Sequence, residues 1–87
     1  MQNKHFDELA DSIVGIDNKT LAKAFLKNLL TPAELEEAVK RLQIVKLLNK
    51  GVPQREVAKK LHVSIGKISR GSRELKYGET GFKQVLK

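Results

Sequence analysis

Apolar residues recur at helical spacing along the whole of this chain. Phe6, Leu9, Ala10, Ile13 and Val14 fall at i, i+3, i+4, i+7 and i+8, which predicts a first amphipathic helix closing near Gly15. Asp17 or Asn18 can cap a second, whose Leu21, Ala22, Phe25, Leu26 and Leu29 make a wide apolar stripe. Thr31, Pro32 and Glu34 then suit the N-cap, N1 and N3 positions of a capping box opening a third helix. It runs to about Lys50, with Leu35, Ala38, Val39, Leu42, Val45 and Leu48 on one face. Ile44 and Leu47 lie on another face, so burial on more than one side is expected, and Gly51 is the expected stop. No stretch alternates with period two. The predicted class is all-α, with about six short helices.

Residues 53–76, PQREVAKKLHVSIGKISRGSRELK, form the most informative stretch. Val57 and Leu61 stand four apart, and Ile65 and Ile68 three apart, so each half has one inward face. Ala58 is the small residue needed where two helices cross closely, and Ser64 is a plausible N-cap for the second. This is the helix-turn-helix pattern, whose second helix lies in the major groove of DNA. The turn residue is His62 where glycine is usual, and histidine is among the few other residues enriched at positive φ. An ordinary surface helical hairpin is the blander alternative. Beyond it, YGETG breaks the chain, and Phe82, Val85 and Leu86 suggest a short last helix within 78–87.

Charge separates these alternatives. Residues 1–49 carry seven Lys/Arg and seven Asp/Glu; residues 50–87 carry ten Lys/Arg against three Asp/Glu, net +7. The whole excess sits with the helix-turn-helix, as a polyanion partner requires. A basic membrane-surface helix is disfavoured, because the segment has no Trp and no strongly apolar opposing face. The chain has 87 residues and no cysteine, so no disulfide or thiolate metal site can staple it. Its N-terminus, MQNKHFDELADS, is polar, so neither a signal peptide nor a membrane span is expected, and the cytosol is the expected compartment.

A lone domain of this size buries only about 60–65% of its unfolded surface, and the first two helices would have little to cover. An intertwined homodimer is therefore expected, residues 1–50 supplying the dimerisation helices of a single domain over 1–87. A monomer with a loosely packed N-terminal arm is the alternative. In a dimer two recognition helices can stand about one DNA turn (~34 Å) apart and read a two-fold-related operator.

LLTPAELEEAVKRLQIVKLLNKG, PQRE and VSIGKISRGSRELK together resemble the tryptophan repressor family over most of the chain, the N-terminal helices more weakly. The resemblance implies a helical dimer that binds operator DNA when L-tryptophan, as co-repressor, occupies a pocket between the third helix and the recognition helix. It implies that Arg41 and Arg70 flank the indole, a role suited to flat guanidinium groups. Thr31 and Val45 would line the pocket, Gly71 would let the ring approach backbone, and Asn28 and Leu30 would offer carbonyls to the ammonium. Glu74 departs from the family, which has serine there. Its carboxylate can bind the ammonium directly, or reach back to Arg70 and fill the pocket from within. LKYGETGF is closer to the ending of a related group of small repressor-like proteins, so another effector, or none, stays open. The loop before the fourth helix is one residue shorter than in the repressor, and Pro53 replaces its usual hydroxyl cap.

For DNA, the resemblance points to Gln54 and Arg55 at the start of the fourth helix, to Ile65, Gly66, Lys67 and Ser69, and to Lys76. Chemically, Ser64 and the backbone N–H groups beside it suit a phosphate. Lys67 and Ser69 suit base edges or bridging water, and Ile65 a thymine methyl. Arg55, Lys59, Lys60, Arg73 and Lys76 suit phosphates, which position without specifying. Where the family has a lysine one turn into the fourth helix, this chain has Ala58 with Lys59 beside it.

Other functions find less support. RNA recognition wants exposed aromatics, and of Phe6, Phe25, Tyr77 and Phe82 the first two look buried. No catalytic site or metal site is expected: His5 and His62 are isolated, and no carboxylate pair shares an evident pocket. A protein-interaction module without DNA affinity is the remaining rival.

Overall fold

A computed structural model describes residues 3–86. It contains α1 (Asn3–Val14), α2 (Lys19–Leu29), α3 (Pro32–Asn49), α4 (Gln54–Leu61), α5 (Ile65–Tyr77) and α6 (Gly81–Val85), with no strand among the described residues. The chain divides into two compact units, Met1–Leu35 and Glu36–Lys87.

In the N-terminal unit the helix ends follow side-chain chemistry. Asn18, not Asp17, is the N-cap of α2: its Oδ1 accepts from the Leu21 N–H at 2.8 Å. Asp17 steadies it, accepting from Asn18 Nδ2 at 3.0 Å. At α3 the reciprocal box forms as expected. Glu34 N–H donates to Thr31 Oγ1 at 3.2 Å, and Thr31 N–H donates to Glu34 Oε1 at 2.9 Å. Donation to the carboxylate from the Thr31 backbone N–H, and next from the Thr31 hydroxyl, holds the Glu34 carboxyl below its ordinary range. The apolar stripes of α1 and α2 are only partly covered. Leu9, Ala22 and Phe25 are half-buried, no described residue of either helix is buried, and Phe6 is 56% exposed. Phe6, expected to be buried, is thus open on the N-terminal unit.

The C-terminal unit closes on itself. Ile44, Val57 and Ile68 form its centre, with Leu47, Leu48, Val52, Ala58, Leu61 and Val63 packed around them. Val57 and Ile68 are both 0% exposed. α3 is buried at Ile44 and Val45, one from each of its two expected faces, while its Val39 and Leu42 remain exposed. It ends in a Schellman motif: Gly51 has φ +89°, its N–H reaches the Leu48 carbonyl, and the Val52 N–H reaches that of Leu47. His62 repeats the device after α4 at φ 53° and ψ 47°, with the Val63 N–H bonded to the Ala58 carbonyl. Pro53 caps α4 without a side-chain bond, leaving its carbonyl to accept from Val57 N–H at 3.1 Å. These two turns aim α4 and α5 as a helix-turn-helix.

Candidate nucleic-acid interface and adjoining cleft

α5 presents three different surfaces. Ile68 and Gly71 are buried, with Ser72 and Leu75 half-buried beside them. Ile65, Ser69, Arg73 and Lys76 follow one another at spacings of four and three, so they share one exposed stripe. Between stripe and core lies an arc of Gly66, Lys67, Arg70 and Glu74 that faces a cleft. Ser64 caps the helix, its Oγ accepting from the Lys67 N–H at 3.3 Å.

All the residues expected at DNA are exposed: Gln54, Arg55 and Lys59 on α4, then Ser64, Ile65, Gly66, Lys67, Ser69, Arg73 and Lys76. They do not all share one surface. At roughly 100° per residue, Lys67 and Ser69 stand on opposite sides of α5. Lys67 lies on the cleft side, where its Nζ is 3.6 Å from Glu37 Oε1 on α3. Both partners are about half exposed, so this pair is weak.

The cleft, of about 740 Å³, is lined by the C-terminal unit alone. α3 contributes Glu37, Lys40, Arg41, Ile44 and Val45; α5 contributes Ser64, Gly66, Lys67, Arg70, Gly71 and Glu74; α6 adds Phe82. Five residues expected at an effector pocket therefore meet here: Arg41, Val45, Arg70, Gly71 and Glu74. Gly71 lets α5 approach α3 closely, since a Cβ on it would lie 2.9 Å from Ile44 Cγ2. Glu74 does not turn back toward Arg70. Its carboxylate lies against Gly78, in the space a Cβ there would take. Asn28, Leu30 and Thr31 belong to the N-terminal unit, where Leu30 closes α2 and the Thr31 hydroxyl is engaged as a cap.

Sequence reasoning missed Glu37, Lys40, Ile44 and Phe82 as lining residues. The first three were legible in principle, because with Arg41 they fall at i, i+3, i+4 and i+7 on one face of α3. Phe82 had no local signal. Among the described residues no group of acidic or histidine side chains is placed to hold a metal, and no helix is long and apolar enough to cross a membrane.

A family model described as Trp repressor protein matches residues 4–87. A Trp operon repressor homolog from Xylella fastidiosa is 41% identical over 71 residues, which are 80% of this chain and 77% of that protein. One from Actinobacillus succinogenes is 49% identical over 59 residues, covering 67% of this chain and 58% of its own length. The crystal structure of a Staphylococcus aureus protein assigned as a Trp repressor superposes with a TM-score of 0.90 at 27% identity, covering 98% of this chain and 85% of that one.

Proposed function

This chain belongs to the Trp repressor family, and we propose that it is a transcriptional regulator that binds double-stranded DNA as a homodimer. One observation carries the reading: α4 and α5 bury Val57 and Ile68 completely while leaving all ten candidate DNA residues open to solvent. The same elements belong to the segment that holds the chain's entire +7 charge. Arg55, Lys59, Arg73 and Lys76 meet phosphates, and Ile65 and Ser69 meet base edges. Lys67 exchanges Glu37 for the nucleic acid. Residues 1–50 dimerise, 53–76 read DNA, and 78–87 form an appendage within one domain. Open apolar side chains on α1 and α2, Phe6, Ile13, Leu21 and Leu29 among them, support a second copy as their cover. Family membership leaves no place for an enzyme.

The cleft supports an effector function. Arg41 and Arg70 present planar cations, Val45 and Gly71 supply a small apolar floor, and Glu74 supplies the one carboxylate not expected from the family. A flat amino acid such as L-tryptophan suits that set, with its ammonium toward Glu74. It would regulate DNA binding only by favouring one setting of α5 over another.

Titration of sheared genomic DNA and of a random duplex, with and without L-tryptophan, tests both readings. Binding that weakens linearly with the logarithm of salt is expected. Absence of any salt-dependent binding would instead favour a protein-interaction module. Calorimetry with L-tryptophan should give one site per chain, abolished by Arg70→Ala. Heat seen only after Glu74→Ser would mean that the native carboxylate fills the cleft.

A further inference from the structure

We propose that Phe82 is the aromatic wall of the α3–α5 cleft, and that the segment carrying it is clamped to the end of α3 as part of the ligand site. The ligand half of this inference rests on the effector reading above; the wall itself does not.

α6 has five residues, too few to hold a helix in water without tertiary help. Its own support is local: Leu86 N–H bonds the Phe82 carbonyl at 2.8 Å, and Gln84 Nε2 bonds Thr80 Oγ1 at 2.9 Å. Two contacts tie it to the rest of the unit. Asn49, the last residue of α3, donates from Nδ2 to the Leu86 carbonyl at 2.9 Å, across 37 residues of chain. Phe82 is half-buried where Gly81, Lys83, Gln84 and Val85 are exposed, and the cleft that covers it is the one lined by Arg41 and Arg70. The turn between α5 and α6 is shaped to the same end. Gly78 leaves room for the Glu74 carboxylate, which a larger residue would displace. A flat ring between the two guanidinium groups would therefore meet a third surface, this one aromatic, with the Glu74 carboxylate nearby. Filling the cleft also covers more of Phe82, so ligand binding and ordering of α6 are linked.

Three substitutions separate a ring from mere bulk. Phe82→Leu keeps apolar volume and loses the aromatic face, Phe82→Tyr keeps the face, and Asn49→Ala removes the clamp. In amide-resolved NMR of the full chain without ligand, Phe82→Leu should shift the Gly71 and Arg70 amides; shifts confined to residues 78–87 would overturn the wall. In calorimetry with L-tryptophan, Phe82→Leu should weaken binding about 3- to 10-fold, the range of an aromatic contact, with Phe82→Tyr close to native. Equal affinity in native and Phe82→Leu chains would overturn the ligand contact. Asn49→Ala should speed exchange of the Leu86 amide, and added tryptophan should slow it in the native chain. If native protein takes up no tryptophan, the effector reading fails for that amino acid. The contact is then decided with 8-anilinonaphthalene-1-sulfonate, a flat aromatic anion. Its Arg70-dependent fluorescence should fall in Phe82→Leu, and no fall would overturn it.

Discussion

The two halves of this chain treat their apolar residues in opposite ways. Val57 and Ile68 are sealed by their own unit, whereas Phe6 at 56% and Leu29 at 49% exposure are left open on helices of similar pattern. Charge runs the other way: net zero over 1–49 and +7 over 50–87. A neutral, apolar surface does not repel a second copy, and a self-contained basic unit can face a polyanion without exposing its core. The contrast teaches that periodicity locates an inward face but not what lies against it.

The sharpest break of that comparison is Ile68→Ala. Removing a fully buried side chain from the sealed unit should cost about 2–5 kcal/mol, read by denaturant unfolding, at every protein concentration. A loss below about 1 kcal/mol would mean this core is not closed. Leu29→Asp should act on association instead. Sedimentation should show dimer affinity reduced at least about tenfold, equivalent to 1.4 kcal/mol, and a chain already monomeric would refute the covering copy.

Gly71→Ala should destabilise the sealed unit by about 1–3 kcal/mol, because its Cβ meets Ile44 at 2.9 Å, and should weaken any ligand held in the cleft. Equal thermal stability and ligand affinity would show that α3 and α5 have slack there. On DNA, Lys67→Ala should remove about 1–3 kcal/mol from specific binding, whereas Arg55→Ala should weaken all duplexes alike and lower the salt slope by about 1. Equal losses on operator and random DNA for Lys67→Ala would assign it to phosphate.

The smallest effect lies in the neutral half. Thr31→Ala should cost about 1 kcal/mol through its cap. Glu34 adds a pH signature: its carboxyl is lowered from an ordinary value of 4.5 in the folded chain. Its contribution is therefore complete above that value and is lost as acid carries the pH down through the lowered one. In Glu34→Gln this acid dependence should flatten, as thermal melts between neutral and acid pH would reveal.

Much of the molecule could be read locally. The capping box, the Gly51 stop, the Ser64 cap and the left-handed His62 each depend on groups within five residues of one another. Such signals survive in one dimension because the interacting atoms are fixed by the helix itself. Asn18 prevailed over Asp17 through geometry one residue long. Arg41, Val45, Arg70, Gly71 and Glu74 were placed together by resemblance and do share one cleft.

Sequence alone determined six helices, their ends, the turn of the helix-turn-helix and the side on which charge accumulates. Tertiary structure decided that Lys67 faces Glu37 and the cleft while Ser69 faces away, that Phe82 lines one wall, and that Phe6 is left exposed on the N-terminal unit. The reason is range. A helix fixes neighbours up to four or five residues apart, but which of its faces meets another helix is set by packing between segments far apart in the chain, such as Asn49 and Leu86.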